Sequence, residues 1–344
     1  MEKTMDYGPH SKPLRNHDLR KSVPAPAVYV RLLLDRFGST PELRQRLLLG
    51  TDVDENRIQL PGAEVSLFSF ISFGKNLIDV VGEEWPLESF RIWTTPTHGA
   101  LEVAARSAPT IGDGLQILQE YGHVRGPYLI LDLYRTRKAT ALRFSTSIAS
   151  CFETAKALST TAMLSAVAML EPMLESPSDD IEIRFHWGVP RSHERMVKMI
   201  AQRMSFNQPH CELVLPNHVC ARASPYLDQS LLKAALASLD QDARRLREAN
   251  NLALQIDNLL NICSGGRMSA QEVARQLAVS RRTLVRRLAE HGMTFRTIQD
   301  QNLKLRAFKM LKDGKLTRSQ MAERLGFQDP TSFSRACRRW FQAD

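Results

Sequence analysis

Hydrophobic residues recur at helical spacing along most of the first 120 residues. This spacing predicts helices at 27–37, 41–49, 63–81, 98–106 and 114–119. The second has the clearest boundaries, because Thr40 suits the N-cap, Pro41 suits the first helical position and Gly50 follows the end. A break between helices is expected at 83–86.

The pattern changes near residue 128, where apolar and polar residues begin to alternate. This alternation predicts strands at 128–134, 139–144, 181–187 and 211–215. The first two strands flank a basic turn at 135–138 and are expected to pair as a hairpin. Helical spacing returns at 151–175 and 191–204. Residues 24–238 are therefore predicted to form an α+β domain with a small antiparallel sheet.

A further helical segment runs from Leu231 to Cys263, with a break expected near Asp240. It carries an apolar stripe at three- and four-residue spacing, formed by Leu246, Ala249, Ala253, Ile256 and Leu260. Such a stripe either pairs with another helix or covers the core of the next domain. The stripe spans few turns, which favours the second interpretation, and 239–251 is interpreted as the interdomain helix.

An internal repeat follows this helix. Residues 269–277 recur 48 positions later, at 317–325. Both copies open with a capping box, in which the side chains of the N-cap and of the third helical residue bond each other's backbone amide. The two pairs are Ser269 with Glu272, and Thr317 with Gln320.

Each copy continues in the same way into a second helix. A small residue comes first, Ala278 in one copy and Gly326 in the other. Ser280 then caps the next helix of the first copy, and Asp329 followed by Pro330 starts that of the second. A short helix, a tight turn and a second helix with a buried stripe form a helix-turn-helix, whose second helix enters the DNA major groove. The sequence predicts two such units.

The two second helices combine an apolar inner face with a basic outer face. The predicted inner residues are Leu284, Leu288, Phe333, Cys337 and either Trp340 or Phe341. The candidate DNA contacts are Ser280, Arg281, Arg282, Thr283, Arg286, Arg287, Gln328, Thr331, Ser332, Arg335, Arg338 and Arg339. Arginine matches guanine edges with two donors, while hydroxyl and amide side chains suit phosphates or either base type. The alternative is a basic face that meets only solvent, and its duplication on two capped units argues against that alternative.

An amphipathic helix is predicted between the two units, at 294–311. Its apolar residues are Phe295, Ile298, Leu305, Phe308 and Leu311. Eighteen residues span about 27 Å at 1.5 Å per residue, and one turn of B-DNA advances about 34 Å. A rigid connection of this length can hold two reading helices against successive major grooves.

Charge sets the carboxy-terminal segment apart. Residues 264–344 contain 17 Lys and Arg against 7 Asp and Glu, a net charge of +10, whereas the whole chain of 344 residues carries +9. The excess of positive charge therefore lies in this segment. Concentrated basic charge predicts a polyanionic partner such as nucleic acid, because the release of condensed counterions favours binding.

The remaining composition is that of a folded protein, with 43% hydrophobic and 24% charged residues. The longest apolar runs, such as 162–170, fall short of the roughly 18 residues that a membrane span needs. Residues 1–23 are interpreted as a polar tail without the apolar core of a secretory signal. Five cysteines without a Cys-x-x-Cys pair predict buried thiols, and hence a cytoplasmic protein without a disulfide framework or zinc module.

Residues 252–341 resemble the DNA-binding domain of AraC/XylS-type bacterial transcriptional regulators. The matching stretches are 272–277 (EVARQL), 280–288 (SRRTLVRRL), 292–295 (GMTF) and 326–336 (GFQDPTSFSRA), together with Trp340. More weakly, 99–118 and Phe185-His186 with Phe206 are similar to the amino-terminal, arabinose-binding-like sensing domain of one branch of that family. The resemblance implies promoter DNA as partner, a homodimer, and possible contacts with a small-molecule effector and RNA polymerase.

The sequence departs from that family pattern at two positions and at its end. Leu303 stands where an Arg is common in the linker helix, and Cys337 replaces the usual Phe of the last helix. The chain also stops at Asp344, short of the usual tail. None of these changes removes a reading helix, although the resemblance then implies a second unit that either packs less tightly or tolerates more DNA sequences.

Other function classes were compared with this interpretation. No complete dinucleotide loop, phosphate loop, nucleophile elbow or paired helical histidines occur, so no enzyme, cofactor or metal is predicted. A DNA alkyl-acceptor protein is a remote alternative, because the Pro-Cys-His context of its reactive cysteine is absent. An architectural DNA binder without a sensor is a second alternative, against which the large neutral α+β domain argues.

The aromatic residues of the α+β domain are interpreted as core residues rather than as the lining of an effector pocket. They are Trp85, Trp93, Tyr128, Tyr134, Phe144, Phe185 and Trp187. The sequence as a whole predicts an α+β effector-sensing and dimerisation domain at 24–238, the interdomain helix at 239–251 and an all-α double helix-turn-helix domain at 252–344. No effector residue is assigned.

Overall fold

The computed structural model describes residues 23–94, 97–147, 152–174, 180–191, 200, 203–262, 267–291, 293–313 and 316–341. The predicted polar tail at 1–23 lies outside these ranges except for Val23, which is buried. Within the described ranges, no helix combines the length and the apolar composition that crossing a bilayer requires.

Helices dominate the first 125 residues. The elements in order are β1 (Pro24–Pro26), α1 (Ala27–Phe37), α2 (Pro41–Leu47), a 3₁₀ turn (Arg57–Gln59), β2 (Glu64–Ser66), α3 (Leu67–Val81), α4 (Trp85–Glu88), a second 3₁₀ turn (Phe90–Thr94), α5 (Ala100–Ser107) and α6 (Ile111–Arg125). The predicted helices at 27–37 and after Thr40 are confirmed, and the Leu43 backbone amide donates to Thr40 Oγ1 at 3.3 Å.

Three predictions in this region need correction. Residues 64–66 do not open the third helix, because they pair with β1 as a two-stranded antiparallel ribbon. The expected break at 83–86 is present but shorter, because α3 ends at Val81 and the short helix α4 already begins at Trp85. The helix predicted at 114–119 is much longer, because a capping box of Thr110 and Asp113 starts it at Ile111. Gly114 does not interrupt it: a Cβ there would lie 2.6 Å from the Ala105 carbonyl oxygen, so the glycine lets α5 and α6 approach closely.

A five-stranded sheet forms the other part of the domain. Its elements are β3 (Leu129–Arg135), β4 (Ala139–Thr146), α7 (Phe152–Leu170), a 3₁₀ turn (Glu171–Met173), β5 (Glu182–Arg184), β6 (Arg203–Ser205), β7 (Cys211–Pro216) and α8 (Asn217–Cys220). The strand order is β3-β4-β7-β5-β6, and the predicted hairpin of β3 and β4 is confirmed. The sheet is antiparallel except for the β5–β6 pair, which is parallel.

Two expectations for this sheet were too simple. The strand predicted at 181–187 covers only 182–184, because Phe185 and Trp187 pack with Phe206 in a ring cluster, with centroids 4.5–5.6 Å apart. The helix predicted at 191–204 mostly lies outside the described residues, but its end is wrong, since 203–205 form β6. The parallel β5–β6 pairing is a long-range contact that alternation does not reveal.

The core lies between the helices and one face of the sheet. Leu142 and Phe144 of β4 and Leu213 of β7 are buried beside helix α7, most of whose residues are themselves buried. The opposite face is polar, with an ion pair between Arg143 and Glu212 at 2.8 Å. Tyr134 also lies on this polar face, 42% exposed and 4.4 Å from the Arg143 guanidinium, so its assignment to the core was wrong.

The next element is one uninterrupted helix, α9 (Gln229–Ile262), about 51 Å long at 1.5 Å per residue. The break expected near Asp240 is absent, because Leu239 and Ala243 are both buried on the same helical face. The Asp240 carboxylate accepts a hydrogen bond from the Tyr121 hydroxyl at 2.7 Å. A continuous helix therefore extends beyond the α+β domain.

The apolar stripe of α9 contacts two separate cores. Leu239 and Leu246 belong to the core of the α+β domain. Ala249, Ala253, Ile256 and Leu260 belong to the core of the first helix-turn-helix unit. The interpretation of this part of the stripe as a cover for the next core is confirmed.

The carboxy-terminal region is entirely helical over the described residues. Its helices are α10 (Ala270–Gln276), α11 (Arg281–Glu290), α12 (Phe295–Asp313), α13 (Arg318–Arg324) and α14 (Pro330–Phe341). Two small cores form, one beneath α10 and α11 and the other beneath α13 and α14. The predicted combination of an α+β domain with an all-α double helix-turn-helix domain is confirmed.

Candidate nucleic-acid interface

The turns of the two units have the same backbone geometry. Ala278 and Gly326 both adopt left-handed conformations, with φ of 53° and 70°. In both turns the next amide donates to the carbonyl five residues back, Val279 to Ala274 and Phe327 to Ala322, each at 2.9 Å. This is the Schellman helix end, which the 48-residue repeat reproduces. The predicted capping boxes that open α10 and α13 are also present.

The two turns differ in strain, because Ala278 has a Cβ in a conformation that favours glycine. Replacing Ala278 by Gly is expected to stabilise the first unit by up to about 1 kcal/mol, since the left-handed conformation costs a residue with a Cβ about 1–2 kcal/mol and glycine loses more chain entropy on folding. Gly326→Ala, at the equivalent position, is expected to destabilise the second unit by about the same amount. Urea unfolding of both variants measures the two changes, and equal signs would contradict this account.

The first recognition helix, α11, has the predicted division of faces. Leu284 and Leu288 are buried, whereas the predicted arginines of this helix are exposed. Ser280 Oγ accepts from the Thr283 amide at 3.0 Å and bonds the Thr283 hydroxyl at 2.8 Å. Ser280 and Thr283 therefore define the start of the helix. Arg286 forms an ion pair with Glu290 at 3.1 Å, but both side chains remain largely exposed.

Sequence reasoning missed one side chain of α11. Val285 is 49% exposed, one residue beyond the buried Leu284 and four residues after Arg281. An exposed valine on a basic face suits contact with a thymine methyl group. The signal was present in the sequence, because helical spacing places position 285 outside the stripe that contains Leu284 and Leu288.

The second recognition helix, α14, buries Phe333, Ala336 and Trp340. Ala336 was missed as an inner residue, and Cys337 is only half-buried, beside the core rather than within it. The side chain of Phe341 lies outside the described residues. Thr331, Arg335, Arg338, Arg339 and, in the preceding turn, Gln328 are exposed.

Ser332 is held by the acidic residue that precedes the helix. Its amide and its hydroxyl each donate to the Asp329 carboxylate at 2.7 Å. These hydrogen bonds lower the pKa of Asp329, which keeps the cap charged at the positive end of the helix dipole. Ser332 therefore stabilises the start of the helix, and its hydroxyl is less available for DNA contact than that of Thr331. The sequence alone did not predict this use of the hydroxyl.

One predicted contact residue also anchors α14 to the linker helix. Arg339 pairs with Asp300 of α12 at 2.7 Å, and Trp340 Nε1 donates to the same carboxylate at 2.9 Å. In contrast, no ion pair within the described ranges involves the exposed side chains of Arg281, Arg282, Arg287, Arg335 and Arg338. Among the cations of the two recognition helices, these five side chains are therefore the most available for contact with DNA.

Hydrogen bonds connect α12 to the helices on both sides. The buried Asn302 donates from Nδ2 to Asp257 Oδ1 at 2.8 Å and to Asn261 Oδ1 at 2.9 Å, both on α9. Arg306 donates to the Leu260 carbonyl at 3.4 Å and to the Arg324 carbonyl at 3.2 Å, and thereby joins the two units.

Leu303, the departure noted in the linker helix, is buried in the core of the second unit. A long polar side chain is therefore not required at this position, because Arg306 supplies the contacts with backbone carbonyls one turn later. Arg267 adds a further link between the units, with its guanidinium 4.1 Å from the centre of the Phe327 ring. Burial lowers the pKa of Arg267.

Two contacts link this region to the α+β domain. Arg245 of α9 pairs with Glu64 at 3.2 Å and donates to the Glu290 carbonyl, at the end of α11, at 3.3 Å. The Lys304 ammonium lies 5.0 Å from the centre of the Phe68 ring. Arg245 therefore bonds both the α+β domain and the first recognition helix.

Two family models match the chain. The arabinose-binding domain found at the amino terminus of AraC transcription regulators matches residues 44–223, about half of the chain, and a helix-turn-helix domain matches residues 273–343. The second match contains both recognition helices and the linker between them.

Several named regulators are similar to the chain. The ornithine utilization regulator of Pseudomonas aeruginosa is 25% identical over 327 residues, covering 92% of this chain and 93% of the relative. The transcriptional regulator VirS of Mycobacterium tuberculosis is 23% identical over 245 residues, covering 71% and 72%. The crystal structure of the regulator CdpR from Pseudomonas aeruginosa aligns with a TM-score of 0.39 and 20% identity, over 92% of this chain and 94% of that one.

Proposed function

Because the chain belongs to the AraC family of transcription regulators, we propose that it regulates promoters by inserting α11 and α14 into successive major grooves of one duplex. Membership of the family means a DNA-binding regulator of transcription rather than an enzyme. The observation that carries the proposed docking is the duplicated turn geometry, followed in each unit by a helix with exposed arginines. The linker helix supports it, since hydrogen bonds hold it to both units.

The proposed contacts divide into two kinds. Arg286 and Arg335, near the middle of the recognition helices, are assigned to base edges, where a guanidinium matches guanine. The remaining side chains are assigned to phosphates or to the adjacent bases. They are Ser280, Arg281, Arg282, Thr283, Arg287, Gln328, Thr331, Ser332, Arg338 and Arg339.

The same proposal assigns a role to each part of the chain. Residues 24–238 form the sensing and dimerisation domain, 239–251 the interdomain helix and 252–344 the DNA-binding domain. We infer that two copies act together as a homodimer in the bacterial cytoplasm, where they bind the chromosome and contact RNA polymerase. A small-molecule effector in the sensing domain modulates binding. Arg245 supports such coupling, because it bonds both Glu64 and the end of α11.

The proposed function is tested by selecting binding sites for the full chain from a pool of random duplexes and then footprinting the selected site. Two protected major-groove segments about one helical turn apart, on one face of the duplex, are expected for each copy. Failure to enrich any site would contradict the proposal. A single protected segment per copy would contradict the assignment of a reading role to both units.

Replacing Arg335 by Ala is expected to weaken binding to the selected duplex by about 1–3 kcal/mol, because a bidentate contact with a base is lost. Binding to a scrambled duplex should change much less. Fluorescence anisotropy with both duplexes measures the difference. Arg46→Ala is the matched control, since Arg46 is an exposed arginine of the α+β domain. Equal losses on the two duplexes would reassign Arg335 to a phosphate.

A further inference from the structure

A cavity of about 70 Å³ lies inside the α+β domain. Its wall includes residues of α1, α3, α6, α7 and the β3–β4 hairpin, and it is mostly apolar and aromatic. Representative residues are Phe70, Leu118, Tyr128, Phe144 and Met169. Several aromatic residues assigned to the core from sequence are therefore both core and cavity wall.

Three buried N–H or ring nitrogen atoms in this wall have no hydrogen-bond partner among the described residues. They are Nε1 of Trp85, Nε1 of Trp93 and Nε2 of His98, on side chains that all line the cavity. Trp93 is 1% exposed and His98 4%. Buried polar groups are almost always paired, and removing one from water without a partner is unfavourable. The three atoms belong to side chains that line one cavity, so a single ligand in that cavity is a partner that all three could share.

The hydrogen bonds around His98 determine which kind of partner is missing. Arg125 Nε donates to the Tyr29 hydroxyl at 3.2 Å, so the hydroxyl proton is free to point to His98 Nδ1, 2.9 Å away. Nδ1 then accepts, which places the single proton of a neutral imidazole on Nε2. Burial, with the charges of Arg125 and Arg106, lowers the pKa of His98 to about 3, so the ring is neutral near pH 7. All three unpartnered atoms are therefore donors.

The charged side chain in the cavity wall is Arg125, and no described Asp or Glu lines the cavity. The buried Glu102 carboxylate acts on Tyr29 from outside the wall and forms an ion pair with Arg106 at 2.9 Å. Thr161 also lines the cavity, but its hydroxyl donates to the Ala157 carbonyl at 2.8 Å and is therefore not a free donor. A ligand that accepts hydrogen bonds and carries negative charge complements this wall, whereas an amine would face only donors.

We propose that this cavity binds a small monocarboxylate effector, with its oxygens on Trp85, Trp93 and His98 beside Arg125 and its carbon chain against the aromatic wall. The assignment rests on the proposed function, in which the α+β domain senses an effector, and it names the chemical class of that effector. Burying a carboxylate requires hydrogen bonds and a countercharge, which these four side chains supply. The volume favours a short acid, because a cavity of about 150 Å³ holds one benzene molecule.

The binding test uses the full chain and straight-chain carboxylates from acetate to hexanoate as probes. The primary amines and methyl ketones of the same lengths are the comparison series. Trp85 and Trp93 make intrinsic fluorescence a direct readout, and calorimetry gives the affinities. We expect saturable binding of at least one short carboxylate. The ketone of the same length should bind at least about tenfold more weakly than the acid, and the amine should not bind. Ketone binding as tight as that of the acid, or no carboxylate binding, would overturn the assignment.

Variants locate the binding within the wall. Trp93→Phe keeps an aromatic side chain, although a smaller one, and removes the indole N–H donor. It is expected to weaken carboxylate binding about ten- to a hundredfold, as the loss of one hydrogen bond to a charged group predicts. Trp187→Phe is the matched control, since Trp187 Nε1 is also buried without a partner but lies away from this cavity. Thermal unfolding of both variants checks that they are folded. Equal affinities of the two variants for the acid would contradict the site.

The two proposals fail in different ways. The same preparation is tested for binding to the selected duplex, with and without the carboxylate that binds most tightly. Carboxylate binding in a chain that prefers no duplex would contradict the proposed function and leave the cavity assignment standing. A clear duplex preference in a chain that binds no carboxylate would contradict the cavity assignment alone.

Discussion

Phe333→Ala is expected to destabilise the second helix-turn-helix unit by about 3–5 kcal/mol, the usual loss when a buried phenylalanine is truncated. Phe333 is 1% exposed and belongs to a small core, of which the structure describes eight buried residues, so few neighbours can fill the space. A loss of this size is comparable to the whole stability of a small core. We expect α13 and α14 to unfold while the first unit remains folded.

Hydrogen exchange resolved along the chain measures this result. Amides of 318–341 should lose protection in the variant, while those of 270–290 should keep it, because the two units have separate cores. The affinity for the selected duplex should fall to that expected when only one helix-turn-helix unit is folded. Cys337→Ala is the matched control, since Cys337 is half-buried on the same helix and its truncation removes little packing. Uniform loss of protection in both units would show that they unfold together.

The affinity for the selected duplex is expected to fall about 150-fold when the salt concentration rises from 50 to 200 mM. This figure assumes about four phosphates neutralised per copy and a slope of about −0.9 for each in a plot of log K against log salt. Four exposed arginines assigned to phosphates support that number: Arg281, Arg282, Arg287 and Arg338. Each has no ion pair within the described residues, so no internal bond has to break.

Anisotropy titrations at several salt concentrations give the slope. Arg338→Ala should reduce its magnitude by about one while leaving the preference for the selected site almost unchanged. Arg335→Ala should show the opposite pattern if it reads a base. A flat response to salt would contradict the account of the basic recognition helices.

The short-range features of the DNA-binding region were predictable because their causes lie within a few residues. A capping box needs only residues three positions apart, and the Schellman turn needs a small residue at the helix end. Ser269, Thr317 and Gly326 are therefore sufficient to identify both units without any tertiary contact. The linker helix was predictable in the same way, from its apolar spacing. Its buried face was only partly predicted, because Leu311 is 41% exposed whereas Leu303 and Ala307 are buried.

Features of the α+β domain were less predictable because distant residues decide them. The parallel pairing of β5 with β6 joins segments about 20 residues apart and leaves no periodic signal. The helix α9 continues through Asp240, and its neighbour Leu239 is buried in the amino-terminal core. The sequence pattern predicts a break near Asp240, because a polar residue between apolar ones is compatible with a turn as well as with a continuous helix.

The sequence by itself determined that this protein has two capped helix-turn-helix units with basic outer faces, since local spacing and charge are sufficient for that inference. Only the tertiary structure decided which arginines remain unpaired, because Asp300, the partner of Arg339, is 39 residues away. It also decided that Trp85, Trp93 and His98, each with a buried nitrogen that has no partner among the described residues, line one cavity together with Tyr29 and Met169. Packing brings such residues together, and nothing in their local sequence records it.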